Sequence, residues 1–166
     1  MTGDYEPLTP GSLFFRPPSI DDLDTIHGIE VSPGVFLVAS SSGAGGGGDE
    51  IVGYVCGTRS DAGSLTQESM ARHDPGGPLL CIHSVCVAEP HRRRGVATKL
   101  LRAYIGYVAA TSPDVTQIRL ICKEATVPLY RGVGFRLVGP SPVVHGADPW
   151  LEFAFEMGGA DGGGAE

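Results

Sequence analysis

Arg92, Arg93, Arg94 and Gly95 stand between a continuously apolar run, Leu80 to Val87, and a stretch in which Val96, Ala97, Leu100, Leu101, Tyr104, Ile105 and Val108 recur at helical spacing. The first pattern reads as a buried strand and the second as an amphipathic helix, so the basic turn opens a helix. At a helix N-terminus the backbone N–H groups of the first turn lack intrahelical partners, and the helix dipole presents its positive end. Three guanidinium groups join them here, and Gly95 lets the backbone approach a ligand. Such a turn suits an anion, best of all a pyrophosphate, held by Arg92 to Arg94 and the amides of Gly95, Val96 and Ala97. Thr98, near the first helical turn, adds a hydroxyl. The plainer alternative is a solvated charged turn; the Gly-x-Ala and the helix that follow favour phosphate. His83 lies on the same strand, four residues before its end. Imidazole titrates near neutral pH, so a base placed there can serve whatever the turn holds. The alternative for His83 is a core histidine satisfied by a backbone carbonyl, and its position against the turn favours the base.

Arg92, Gly95 and Ala97 fit the R-x-x-G-x-A signature with which acetyltransferases of the GNAT superfamily hold the pyrophosphate of coenzyme A. Three further segments stand in the same order as in one family of that superfamily. They are Ser64-Leu65-Thr66-Gln67-Glu68-Ser69-Met70, His83-Ser84-Val85-Cys86-Val87 and Val127-Pro128-Leu129-Tyr130-Arg131-Gly132-Val133-Gly134-Phe135. Together they resemble the arylalkylamine N-acetyltransferases, the enzyme type that acetylates serotonin, from about Val52 to Met157. The segment from Leu13 to Ser40 agrees more loosely.

The resemblance implies acetyl-CoA as cosubstrate, a small-molecule primary amine as acceptor, and direct attack of the amine on the thioester. An alkylammonium titrates near lysine, roughly 10.4, so only about one molecule in a thousand is a free nucleophile at pH 7. The resemblance places the base at His83, acting through bound water. The family carries a second histidine two residues earlier, where this chain has Cys81, and a thiol is a weak hydrogen-bond partner. Backbone N–H groups at Val85, Cys86 and Val87 can serve the pantetheine arm and the thioester oxygen if the strand splays or bulges there. Tyr130 matches the general acid; its phenol stays protonated at neutral pH and can protonate a departing thiolate. Leu37, Tyr54, Leu65 and Phe135 are apolar candidates for the neighbourhood of an aromatic amine. Between Glu30 and Gly34 only Val31-Ser32-Pro33 intervene, where the resembling enzymes carry segments that close over the amine. Either a more open, less selective site or impaired amine binding is expected.

Two other functions remain open on the residues: a related acetyltransferase for polyamines or protein amines, and an acetyl-CoA-binding protein with impaired catalysis. A polycation would call for an acidic groove, which Asp49, Glu50, Asp61 and Glu68 do not obviously form.

The net charge of −7 argues against nucleic acid, since a backbone binder needs a basic face and the only basic cluster is the three arginines at one turn. No apolar run approaches the roughly 20 residues of a membrane span, and the N-terminus MTGDYEP reads as neither secretory nor organellar. A cytoplasmic monomer is expected. Cys56, Cys81, Cys86 and Cys122 show no C-x-x-C pairing, which favours reduced thiols over zinc or disulfides, and no metal is expected.

The pattern of elements predicts strands at Leu13 to Arg16, Gly34 to Ala39 and Glu50 to Thr58, with a helix at Asp21 to Glu30. Short helices follow at Leu65 to Ala71 and Val127 to Gly132. A strand at Gln117 to Cys122 and closing strands at Phe135 to Val138 and Trp150 to Met157 complete the set. The glycine run 43–48 matches G-x-G-x-x-G but leads into the strand-like Ile51 to Val55, so it reads as a hairpin tip and not a dinucleotide fingerprint. These elements predict an α/β class, a single-domain GNAT-like fold with a mixed, mostly antiparallel sheet flanked by helices. The expected layout is an N-terminal extension over 1–12, an N-acetyltransferase domain over 13–157 and a disordered glycine-rich tail over 158–166.

Overall fold

The computed structural model describes residues 13–19, 22, 33–42, 49–144 and 146–158. Seven strands form one sheet in the order β1-β2-β3-β4-β5-β7-β6. Strands β1 (Leu13–Arg16), β2 (Phe36–Ser41), β3 (Glu50–Ser60) and β4 (Leu79–Val87) follow one another as antiparallel neighbours. Helix α2 (Val96–Thr111) then crosses over the sheet to β5 (Gln117–Cys122), which lies parallel to β4. Helix α3 (Val127–Val133) leads to β6 (Arg136–Pro140) and β7 (Leu151–Glu156), and β7 inserts antiparallel between β5 and β6. A short helix, α1 (Gln67–Ala71), lies between β3 and β4. The sheet is mixed and mostly antiparallel, as expected; β4 and β5 make the parallel pair.

The helical stripe foreseen after Gly95 does bury itself: Val96, Leu100, Leu101, Tyr104 and Val108 face the sheet and join Leu37, Val52, Val55, Leu80, Ile82, Ile118, Leu120 and Phe153 in the main core. Tyr104 is fully buried and donates its hydroxyl proton to the Val35 carbonyl at 2.7 Å. A second layer covers the other face, where Leu65, Leu79 and Cys81 pack with Met70, Ile121 and Val143. Here α1 is fastened by a reciprocal cap: Thr66 Oγ1 accepts from the Ser69 N–H at 3.0 Å, and Ser69 Oγ accepts from the Thr66 N–H at 2.8 Å. Leu65 before the cap and Met70 after it share one cluster, which fixes how the chain enters the helix.

Several boundaries differ from expectation. Pro33–Val35 form a 3-10 turn, so the strand begins at Phe36 and not at Gly34. The helix expected at Leu65 begins at Gln67, because Thr66 is its cap. The last two strands start one residue later than expected, at Arg136 and Leu151; for the first of them, the left-handed Gly134 and the following Phe135 close α3 before the chain extends. The expected helix from Asp21 to Glu30, the glycine tip and the tail lie outside the described residues, apart from isolated positions.

Two departures from regular pairing shape the site. Cys56 pairs with Ser84 but Gly57 pairs with Ile82, so His83 is an extra residue, a bulge in β4. Strand β4 also pairs with β5 only through Leu79, Leu80 and Cys81. Beyond Cys81 the two strands part, and the burial of β4 changes with them: Leu79 to Ile82 are buried, while His83 to Val87 are not.

Candidate active site

The gap between β4 and β5 ends at the N-terminus of α2. Gly95 caps this helix in a left-handed conformation, φ 76°, and no side chain bonds the first-turn amides. Arg93 is left-handed as well, φ 63°. A Cβ at Gly95 would meet no protein atom within 4 Å, so within the chain glycine serves the left-handed backbone angle there. Arg92 folds back and donates Nε–H to the Val87 carbonyl at 2.9 Å, tying the turn to the end of β4. Its other guanidinium nitrogens remain available to an anion. A cavity of about 210 Å³ is lined here by Val87, His91, Arg92, Arg93, Gly95, Val96, Ala97, Thr98 and Leu129. Arg94 is not in that lining. An uncapped helix start and two arginines around one concavity fit the pyrophosphate of coenzyme A.

Val85, Cys86 and Val87 occupy the separated half of β4. Val85 and Val87 pack against the main core on the α2 side. Cys86 points to the other face, directly across from Tyr54 in the sheet; the neighbouring thiol and burial raise the Tyr54 phenol pKa above its ordinary range. The departure of β5 leaves this edge of β4 without a β-ladder partner, which is the splay that sequence reasoning required for free backbone donors.

His83 shares the face of Thr58 and α1. Its Nε2 lies 2.7 Å from Thr58 Oγ1, and Thr58 donates its hydroxyl proton to the Ser69 carbonyl at 2.8 Å. The residue as a whole is exposed, yet protein crowds the ring on one side, and this desolvation lowers its pKa below 6.5. At neutral pH the imidazole is therefore uncharged. Cys81 is on the same face but fully buried, its sulfur 3.5 Å from Ser69 Oγ, and burial pushes its thiol pKa up. The Ser69 hydroxyl donates to the Thr66 carbonyl at 2.9 Å, so the thiol is the donor in its contact with Ser69.

Tyr130 stands on α3, beside Leu129 of the anion cavity. It is buried, packs edge-on against Phe135 with ring centroids 5.9 Å apart, and its pKa is pushed up to about 12, chiefly by burial. Its hydroxyl has no hydrogen-bond partner among the described residues. Of the apolar candidates for the amine's surroundings, Tyr54 and Leu65 lie on the His83 face, whereas Leu37 and Phe135 belong to the main core under α2 and α3. Strand alternation turns Leu37 inward, and the close of α3 turns Phe135 inward, where its ring meets Tyr130.

Thr58 was not singled out in the sequence, and Ser69 stood there only as part of the Ser64 to Met70 segment, with no role. The available signals were Gly57, since an interior strand glycine marks a bulge or a close approach, and the Thr66-x-x-Ser69 spacing of a cap.

The model of the Acetyltransferase (GNAT) family matches residues 8–135. The chain belongs to the GNAT acetyltransferase family. Among curated relatives it is similar to the serotonin N-acetyltransferase of Mesocricetus auratus, 34% identical over 102 residues, which are 61% of this chain and 49% of the relative. The serotonin N-acetyltransferase of Homo sapiens is 29% identical over 109 residues, 66% of this chain and 52% of the relative. The GNAT chain thus spans about half the length of these curated relatives. Among solved structures, Arabidopsis thaliana NAA60 in complex with a bisubstrate analogue superposes with a TM-score of 0.65 at 20% identity, covering 90% of this chain and 100% of that one. The loading GNATL domain of CurA from Lyngbya majuscula gives 0.68 at 14% identity, covering 87% and 97%. Those similarities establish the GNAT fold. The same NAA60 has also been solved in complex with acetyl-CoA. Among the described residues no helix is long and apolar enough to cross a membrane.

Proposed function

We propose that this GNAT domain, over 13–157, transfers the acetyl group of acetyl-CoA to the primary amine of an arylalkylamine of the serotonin or tryptamine type. One observation carries the reading: a splayed β4–β5 gap has the uncapped start of α2 and its arginines at its end, His83 on one of its strands, and Tyr130 on the helix beside that turn. Arg92, Arg93 and the amides from Gly95 to Thr98 hold the pyrophosphate, with Arg94 contributing long-range charge. The N–H groups of Val85 and Val87, on the edge of β4 that β5 leaves, align the pantetheine arm and stabilise the oxyanion that develops as the amine attacks, whereas that of Cys86 faces β3. His83, neutral at pH 7, receives the amine's proton through water. Tyr130, whose phenol stays protonated up to about 12, gives its proton to the departing thiolate. Cys81 is buried within its own hydrogen bonds and takes no part, so a single imidazole carries the proton.

The arylalkylamine class rests on the curated relatives, whose names are those of serotonin N-acetyltransferases. The free thiols of Cys56, Cys81, Cys86 and Cys122 suit a reducing compartment such as the cytoplasm. Thiol release from acetyl-CoA, measured with tryptamine, serotonin and spermine in turn, tests the proposal. Preference for the indole amines supports it. Preference for spermine replaces the substrate class, and cofactor binding without turnover overturns the enzymatic reading.

A further inference from the structure

The contacts of Thr58 fix more than the position of His83. A hydroxyl has one proton to give and two lone pairs to offer. The Ser69 carbonyl, 2.8 Å from Thr58 Oγ1, can only accept, so the single Thr58 proton points there. If that proton turned to His83, two oxygens would face each other at 2.8 Å with no hydrogen between them. Thr58 is 1% exposed, so bulk water does not compete for these contacts. The carbonyl itself is held in place. It belongs to the short helix α1, whose terminal carbonyls lack intrahelical partners, and its residue is locked by the Thr66–Ser69 cap. Nε2 of His83, 2.7 Å from the same oxygen, must therefore carry a hydrogen and donate it.

We infer that Thr58 is a positioning residue that sets the tautomer of His83, keeping Nε2 protonated and leaving Nδ1 as the atom that accepts the proton of the incoming amine. The inference rests on the base role proposed for His83, and it adds which atom acts and what holds it. When Nδ1 takes the proton, the amine nitrogen loses it and the imidazolium keeps its Nε2–H on Thr58. A hydrogen bond from a charged donor is stronger than one from a neutral donor, so the same contact favours the product of the transfer. The bulge at His83 makes the contact possible, because it adds a residue to β4 and brings the ring level with Thr58.

The first test uses the wild-type protein. Nitrogen-15 spectra of histidine-labelled material, assigned by comparison with His83→Gln and recorded above the pKa of His83, should show Nε2 protonated and Nδ1 bare. A protonated Nδ1 overturns the inference. The second test is kinetic. Thr58→Val should lower kcat roughly ten- to a hundredfold, a part of the roughly 10²–10⁴-fold that general-base catalysis supplies, and leave the KM for acetyl-CoA within about twofold. Thr58→Ser, which retains the hydroxyl, should restore most of the rate. An undiminished kcat in Thr58→Val refutes the role, and the spectra decide the matter if that variant does not fold. If His83→Gln acetylates amines at the wild-type rate, the base assignment falls, while the spectra still report the tautomer. The two failures are thus distinct.

Discussion

Substituting Gly57 by alanine probes how the sheet builds the site. An added Cβ would stand 2.5 Å from the Cys81 carbonyl oxygen, 3.2 Å from the Cys81 carbonyl carbon and 3.1 Å from Leu80 Cδ2. The leucine methyl can turn away. The carbonyl cannot, because Leu79, Leu80 and Cys81 are the residues that join β4 to β5 on its other edge. Relief requires β3 to shift against β4 at the bulge. Overpacking of this kind costs about 2 kcal/mol, which for a chain of this size lowers Tm by about 4–8 °C. The shift also moves Thr58, the next residue, away from a 2.7 Å contact with His83. We therefore expect Gly57→Ala to lose roughly tenfold or more in kcat, as a misplaced base does, while acetyl-CoA binding at the distant α2 turn changes little. Differential scanning fluorimetry, calorimetric titration of acetyl-CoA and the thiol-release assay measure the three effects. A Tm and a kcat both equal to wild type would refute the reasoning, for the strands would then have room that the structure denies them.

Arg92→Ala should weaken acetyl-CoA binding roughly ten- to a hundredfold, since one charge-assisted phosphate contact contributes about 1.5–3 kcal/mol; isothermal titration calorimetry reads this directly, and an unchanged Kd refutes the contact. Wild-type activity should fall as pH drops below 6.5 through the lowered pKa of His83, because the base is then occupied by a proton. In His83→Gln the rate at pH 7 should be lower and that acid limb absent; a limb that persists assigns it to another group. The sign for stability is the same. The folded protein binds fewer protons at His83 than the unfolded chain, so this contribution grows as pH rises to 6.5 and is lost as pH falls toward the folded pKa. Tyr130→Phe should depress kcat while leaving Tm and acetyl-CoA affinity near wild type, because the hydroxyl has no structural partner among the described residues; turnover at the wild-type rate would remove Tyr130 from the chemistry. With the phenol at about 12, ionisation of Tyr130 produces no alkaline decline in rate at pH 9 to 10.

Local pattern determined a good deal of this molecule. The strands Leu13–Arg16 and Gln117–Cys122 run over the residues their composition indicates. The helix after Gly95 buries the stripe its spacing marks, and the basic turn lies at that helix's start. These features are legible because they depend on neighbours along the chain: a helical period, a run of apolar residues, a glycine where the backbone must turn. The sequence also pointed to His83 and Tyr130, through their chemical types and their place in motifs.

Tertiary structure alone decided how those residues are arranged. That β4 parts from β5 after Cys81, that His83 bulges out of β4, and that Thr58 and the cap of α1 hold its ring all follow from pairing between strands distant in sequence. The same pairing buries Leu37 in the main core, while the close of α3 sets Phe135 there. It also encloses Cys81. A strand residue's face depends on register, and one extra residue reverses it. Register is settled by the packing of the whole sheet, and no window of local sequence contains it.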